Sequence, residues 1–398
     1  MNTDYILKLS IIVLCISNCI RTFAQQSTCM PFTAFYGVPA NGSEDDYRIM
    51  RECGFTVNQL YYPNIESMIH ACRLAHKQGI KILGTCPEIF KKPSETANIL
   101  KEEEGFFGYM LRDEPSAPEI KDLHATALAI RQVDNAHCIY INLHPFYADW
   151  ILEHTKTDSY EAYVDVAVAA PCQQISFDYY PVTKDGIRDT WYYNLDLIRK
   201  KSVTSGKPFW AFVCSVPHGV YPMPTTASLR LQAYTDLAYG AQALQFFTYW
   251  TPPREAEGLN YHEGPISAEG KKTKTYDIVK KVNRELQSVS RLFYGSKVLS
   301  VHHLGQLSKG ATRLNNIPTN LQSLKIVSVK GAVISTIEKE GCQYLAIVNK
   351  DYQKTMRVHV KARNSIPTQI NKNLKKIPLK SKYIIEPGDI LLIKLTKL

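Results

Sequence analysis

Two adjacent acids, Asp113 and Glu114, directly follow an apolar segment in the stretch GFFGYMLRDEP. Carboxyl groups at the end of a buried strand lower the stability of the folded protein through their desolvation. Their presence there is therefore expected where they bind a ligand or transfer protons. Asp178 ends a second apolar segment, QISFDYY, in the same way. Two carboxyl groups are what hydrolysis of a glycosidic bond requires, because one protonates the leaving oxygen and the other attacks carbon or activates water.

The elements that must position these acids alternate along the chain between short apolar, β-rich segments and amphipathic helical segments. The eight strand candidates are residues 31–37, 55–62, 80–86, 106–111, 137–143, 174–180, 208–214 and 243–249. Eight strand–helix units over this length predict an α/β fold, a closed (β/α)8 TIM barrel. The first strand–helix turn lacks the GxGxxG pattern of a dinucleotide-binding fold.

In such a barrel the functional residues lie where the strands end. This position is rich in aromatic rings and carboxylates and poor in cations, a surface that suits a neutral carbohydrate rather than phosphate or nucleic acid. Besides the acids already named, the predicted substrate-binding residues are Tyr36, Tyr61, Glu88, Asn142, His144, Tyr180, His218, Tyr249, Trp250 and Glu263.

The pattern changes after the barrel, where alternating strands and turn signals predict a small antiparallel β-sandwich. We therefore expect a barrel domain over residues 25–294 and a β-sandwich domain over 295–398. The second domain holds 18 Lys and Arg against 5 Asp and Glu, whereas the whole chain carries +10. Such a basic domain fits an acidic glycan or a membrane surface, and equally fits lysines that protect exposed strand edges.

The first 24 residues have the features of a secretory signal peptide: Lys8, a short apolar segment and the small residue Ala24. We expect an exported protein, periplasmic or extracellular, and a lipid anchor through Cys19 is the less favoured alternative. No segment reaches the length of a transmembrane helix. The cysteines show no zinc-ligand spacing, and no metal or organic cofactor is predicted.

Three motifs carry a resemblance to a known family: GYMLRDEP after the fourth strand, DYYP after the sixth, and FFTYW on the eighth. The sequence resembles the clan-A (β/α)8 glycoside hydrolases, above all the secreted β-galactosidase-like enzymes of family 42. The resemblance spans most of residues 30–290 and implies that Glu114 is the acid/base and that Trp250 forms the floor of a sugar subsite.

One departure from the family concerns the nucleophile, which is a Glu at the end of the seventh strand. The segment PFWAFVCSVPHGV has no carboxylate there. Either the strand count is wrong or another acid takes the role, in the order Asp178, Glu263, Glu88. An inverting mechanism, a substrate-assisted mechanism and lost activity also stay open.

The sequence thus predicts a glycoside hydrolase in which Glu114 is a general acid with a raised pKa and Asp178 is the second carboxylate. Each residue has a structural alternative, since Glu114 could stabilise a helix N-terminus and Asp113 could be a capping acid. The alternative function is a glycan-binding protein on a degenerate barrel. A second carboxylate that faces Glu114 would distinguish the enzyme from the binding protein.

Overall fold

A computed structural model describes residues 29–147, 150–363 and 367–395. The predicted signal peptide and Cys19 lie outside the described residues. Within them, no helix has the length and apolar character needed to cross a bilayer.

Eight parallel strands form a closed barrel in chain order, which confirms the predicted fold class. Strands β5 and β7 are buried at every position, which explains why they read as continuous apolar segments rather than as alternating ones. The barrel strands are β1 Phe32–Phe35, β2 Val57–Tyr61, β3 Lys81–Thr85, β4 Phe106–Asp113, β5 Cys138–Leu143, β6 Ile175–Phe177, β7 Phe209–Cys214 and β8 Ala243–Phe247.

Helices surround the barrel, and local sequence sets their ends. The side chains of Ser43 and Asn64 accept backbone N–H bonds at two N-termini, and Gly240 adopts the left-handed conformation (φ 111°) at a C-terminus. The helices are α1 Glu44–Glu52, α2 Ile65–Lys77, α3 Pro87–Lys91, α4 Pro93–Leu100, α5 Ala117–Val133, α6 Ile151–Thr155, α7 Tyr160–Ala169, α8 Trp191–Ser205, α9 Thr226–Tyr239 and α10 Lys274–Phe293. A short hairpin, 182–183 with 186–187, follows β6.

The remaining strands form two antiparallel sheets with the orders β9-β11-β12-β17-β14-β15 and β10-β13-β16, as the predicted β-sandwich requires. Glu340 and Gly341, both with positive φ, make the tight turn between β11 and β12. The strands are β9 Lys297–Leu304, β10 Leu321–Val327, β11 Ala332–Lys339, β12 Cys342–Asn349, β13 Met356–Ala362, β14 Thr368–Ile370, β15 Lys376–Pro378, β16 Lys382–Ile385 and β17 Ile390–Leu395.

The β-sandwich packs directly on barrel helices α9 and α10. The Arg230 guanidinium donates to both oxygens of Glu285 at 2.9 and 2.6 Å, and Lys372 Nζ lies 2.7 Å from Glu285 and 2.8 Å from Asp389. A Cβ on Gly388 would lie 2.2 Å from a backbone oxygen of α9. Apolar residues of both parts also share one continuous core.

Candidate active site

Strand β4 ends in a turn that places Glu114 at the mouth of the barrel. Glu114 adopts a positive φ of 49°, and its backbone N–H donates to the carbonyl oxygen of Asn142 at 2.9 Å. This conformation is uncommon for a residue with a side chain, and such residues are concentrated at functional sites. The side chain of Glu114 is 36% exposed, so it can reach a ligand in the mouth.

Three carboxyl groups meet at the ends of β4 and β6, and we refer to Asp113, Glu114 and Asp178 as the acidic cluster. The carboxyl groups of Asp178 and Glu114 lie close enough for a hydrogen bond between them when one is protonated. The Asn142 amide nitrogen lies 3.1 Å from Asp113 Oδ1 and 3.0 Å from Asp178 Oδ1. Asn142 therefore holds Asp113 and Asp178 in fixed positions.

Burial and mutual repulsion raise the pKa values within this cluster. Burial first, and the charge of Glu114 second, raise the pKa of Asp113 to about 7. Burial, the charges of Glu114 and Asp113, and the hydrogen bond to Glu114 raise the pKa of Asp178 well above its ordinary value. The raised pKa of Asp178 favours its protonated form, which can donate a hydrogen bond to the Glu114 carboxyl group. The general-acid role expected of Glu114 stays a prediction.

A ladder of polar side chains inside the barrel supports the cluster from below. Ser176 Oγ lies 2.8 Å from the Asn142 amide oxygen and accepts a bond from Gln245 at 2.8 Å. The Tyr140 hydroxyl donates to Gln245 at 2.8 Å. These residues lie on β5, β6 and β8, so three strands together fix the orientation of Asn142.

His144 follows β5 and lies beside Glu114. Its Nδ1 is 3.2 Å from Glu114 Oε2, and the ring is 3% exposed. Neither ring nitrogen has a hydrogen-bond partner of good geometry among the described residues. The ring meets Trp150 and His154 edge-on, with centroid distances of 5.5 and 4.4 Å. His144 Nδ1 is therefore in contact with the Glu114 carboxyl group, and a small shift of either side chain would align a hydrogen bond between them.

The opposite side of the mouth is an aromatic wall, which we define as Tyr36, Tyr180, His218, Phe247 and Tyr261. Tyr180 stacks on Phe247 with a centroid distance of 5.3 Å, and His218 stacks on Tyr261 at 4.8 Å. Burial lowers the pKa of His218, so its ring is neutral at physiological pH. The wall offers apolar faces on which the C–H surface of a sugar can lie.

Glu257, in the loop after β8, is a residue that the sequence analysis missed. The Tyr261 hydroxyl donates to Glu257 Oε2 at 3.0 Å. Its charge contributes to the raised pKa values of Tyr36 and Asp113, so the carboxyl group lies near the mouth. The loop contains Glu255, Glu257 and Glu263, and spacing alone cannot select among them.

The structure brings most of the predicted site residues together. Tyr61 joins Tyr36 at the mouth, where burial and then the charge of Asp113 raise its pKa. The residues gathered around the mouth are Tyr36, Tyr61, Asp113, Glu114, Asn142, His144, Asp178, Tyr180 and His218. The seventh strand is confirmed as Phe209–Cys214, so the missing carboxylate after it is not an error in the strand count.

For four other predicted residues, the described side-chain contacts do not involve the acidic cluster or the aromatic wall. Tyr249 is fully buried against Phe55 on the outer side of the barrel, because the regular strand ends at Phe247 and its alternation does not continue. The Trp250 indole lies against residues 268–270, and Phe247 is the ring that β8 contributes to the wall. Glu88 contacts the thiol of Cys86, and Glu263 is an exposed loop residue.

No group of three or more metal-ligating side chains is found among the described residues.

Residues 124–289 match the family model for the β-galactosidases of glycosyl hydrolase family 42. This match confirms the predicted resemblance to that family over this part of the chain. No curated protein sequence matches this one.

Several solved structures are similar to this chain. The β-galactosidase from the psychrophilic Marinomonas ef1 has 11% identity and a TM-score of 0.49, with 66% of this chain and 60% of that chain covered. A putative α-L-fucosidase from Bacteroides thetaiotaomicron has 12% identity and a TM-score of 0.46, with 64% and 96% covered. This chain thus spans less than two thirds of the Marinomonas enzyme.

Proposed function

We propose that this protein is an exported, β-galactosidase-like glycoside hydrolase that cleaves an O-glycosidic bond of an oligo- or polysaccharide. One observation carries the proposal: the carboxyl group of Glu114, exposed to the mouth, hydrogen-bonds to the buried carboxyl group of Asp178. A second acid in contact with Glu114 favours an enzyme over a glycan-binding protein, because binding alone does not require two acids that repel each other.

Glu114 is the general acid in this proposal. Of the hydrogen-bonded pair it is the partner whose side chain opens to the mouth, so it reaches the glycosidic oxygen. Asp178 holds the proton at rest and passes it to Glu114 when substrate displaces water from the mouth. His144, 3.2 Å from Glu114 Oε2, orients the carboxyl group for this transfer.

The second carboxylate of the reaction must act from the other face of the sugar ring. Glycosidase carboxyl groups lie about 5 to 5.5 Å apart in retaining enzymes and about 6.5 to 9.5 Å apart in inverting ones. Asp178 is in direct contact with Glu114, which is closer than either class requires. Glu257 belongs to the loop after β8, across the barrel from β4, and we assign it the role of base or nucleophile.

The β-galactosidase-like specificity is supported by the family match, and export is supported by the composition of residues 1–24. Both are open to direct tests. Detection of the mature N-terminus after expression with the native first 24 residues tests export. Cleavage after Ala24 is expected, and a retained Met1 would contradict it.

The test of the activity is hydrolysis of a panel of aryl glycosides, with the β-D-galactoside first, by wild type and by Glu114→Gln. We expect release by wild type and a loss of roughly 10³-fold in kcat/KM in the variant. Glu263→Gln, a matched change in an exposed glutamate, is the control and should retain activity. Equal turnover by wild type and Glu114→Gln would remove the proposed acid. Sugar binding without turnover of any substrate would favour the glycan-binding alternative.

A further inference from the structure

A second cavity, of about 330 Å³, lies where the barrel meets the β-sandwich. Its barrel side is formed by the loop after β6 and the start of α8, including Lys184, Arg188 and Tyr192. Its other side is formed by sandwich residues, including Lys330 and Lys350. The catalytic roles proposed above do not use this cavity.

Lys350 is a buried cation without a carboxylate partner among the described residues. It is 4% exposed; its Nζ donates to the Gln306 carbonyl oxygen at 2.7 Å and lies 4.8 Å above the Tyr192 ring. The Tyr192 hydroxyl is itself buried, with no hydrogen-bond partner in the described parts of the chain. Burying an ammonium group without a counter-ion is unfavourable, so an anion that enters the cavity gains a charge-assisted bond there.

The acids that line the cavity do not neutralise this interior charge. Asp351 accepts the backbone N–H groups of Gln353 and Lys354 at 2.9 and 3.0 Å, so its carboxylate is turned toward its own loop. Asp185 and Asp189 are exposed to solvent at the rim, as are Lys184 and Lys330. Among the described residues, the two inner cations, Arg188 and Lys350, form no ion pair with a carboxylate.

Arg188 connects the cavity to the mouth of the barrel. Its guanidinium carbon lies 4.0 Å from the centroid of the Tyr147 ring, and its Nη2 is 3.4 Å from the Tyr221 hydroxyl oxygen. The Tyr221 ring is 5.5 Å from Tyr180, a member of the aromatic wall. The buried Nε of Arg188 has no partner among the described residues. The cavity and the wall are therefore neighbours along one surface.

We propose that this cavity binds an anionic substituent, a carboxylate or a sulfate ester, on a saccharide whose scissile bond lies at the acidic cluster. Binding of the anionic group in the cavity does not depend on the proposed glycosidase function. The position of the scissile bond at the acidic cluster rests on that proposed function. Two inner cations with free donors match the oxygen atoms of such a group, and Tyr192 adds a neutral donor. The substrate class is accordingly an acidic oligosaccharide.

The test measures binding by calorimetry in the Glu114→Gln background, so that turnover does not consume the probes. Three galactose-based oligosaccharides of equal length are compared: a neutral one, one with a uronate unit and one with a sulfate ester. We expect an anionic probe to bind at least about tenfold more tightly than the neutral one. Which anionic probe is preferred distinguishes carboxylate from sulfate.

Lys350→Met and Arg188→Met, each added to this background, should each reduce the preference about tenfold. Two variants are used because Lys350 is buried and its replacement can impair folding, which thermal melting reports. Lys325→Ala, an exposed lysine of β10 outside the cavity, should keep the preference. Equal affinity for all three probes, or a preference unchanged by Arg188→Met and by folded Lys350→Met, would overturn the inference.

The two proposals fail in different ways. A preference for the anionic probe without hydrolysis of any probe by wild type would keep the anion site and remove the glycosidase. Hydrolysis without an anionic preference would remove the anion site alone.

Discussion

The two halves of the barrel mouth are built differently. The half formed by β4, β5 and β6 carries acids on strand ends, fixed by Asn142 and the polar ladder beneath it. The other side carries the aromatic wall, whose rings lie on or after β1, β6, β7 and β8, and a loop-borne carboxylate, Glu257, held by one tyrosine hydroxyl. The proposed proton transfer requires fixed geometry, whereas sugar binding requires a surface that adapts to the ligand. The two sides of the mouth meet these two requirements separately.

The acidic half should give the larger effect on turnover. Asp178→Asn keeps the size of the side chain but removes the acid that holds the resting proton. We expect kcat to fall by roughly 10² to 10³-fold with little change in KM. Steady-state kinetics measure this, and circular dichroism verifies that the variant is folded. An unchanged kcat would show that Glu114 does not obtain its proton from Asp178.

Glu257→Gln tests whether the loop-borne half also takes part in the chemistry. We expect a fall in kcat/KM of roughly 10²-fold, since the assigned base or nucleophile is lost. Glu263→Gln changes the same residue type in the same loop, also at positive φ, and should have little effect. Azide is a suitable additional probe, because rescue of the Glu257 variant by a small anion indicates a role at the sugar carbon. Equal activities of the two variants would confine the chemistry to the acidic half.

Phe247→Ala tests the binding role of the aromatic wall. The ring stacks on Tyr180, and its loss removes one face from the wall. We expect KM to rise roughly three- to tenfold while kcat changes less, because stacking acts on substrate and transition state alike. Trp250→Phe, outside the wall, serves for comparison. A larger loss of kcat in Phe247→Ala than in Asp178→Asn would reverse the contrast between the halves.

Asp113→Asn should have the smallest effect, and the size of that effect depends on pH. The folded-state pKa of Asp113, about 7, lies above the ordinary value. Between about pH 4 and 7 the folded protein therefore keeps a proton on Asp113 that the unfolded chain has already lost. Stability from this group therefore falls as the pH rises through that window. The variant should melt about 2 °C higher than wild type at pH 8 and about equally at pH 4.5.

Removal of the Asp113 charge should also lower the pKa of Asp178, since that charge helps to raise it. The alkaline limb of the kcat/KM profile then moves to lower pH in Asp113→Asn. A limb at the same pH as wild type would contradict the proton-sharing cluster.

The sequence predicted the barrel because eight apolar segments recur with helical segments between them, and all eight are strands. It located Glu114, Asn142, His144 and Asp178 because strand ends converge in this fold. It could not identify Glu257, since loop conformation, not spacing, decides which glutamate faces the mouth. It misplaced Tyr249 because alternation holds only while the strand is regular, and β8 ends at Phe247.

The packing of the β-sandwich on helices α9 and α10 has a consequence for biosynthesis. Glu285 of α10 and Arg230 of α9 form ion pairs with Lys372 and Asp389, which are translated after the barrel. While β17 is still inside the ribosome, the apolar surface of α9 and α10 is exposed to water. The ion pair of Arg230 and Glu285 on these helices is exposed as well. We therefore expect nascent chains to stay aggregation-prone and dependent on chaperones until β17 has left the exit tunnel. Deletions near the C-terminus should then reduce soluble yield before they affect any catalytic residue.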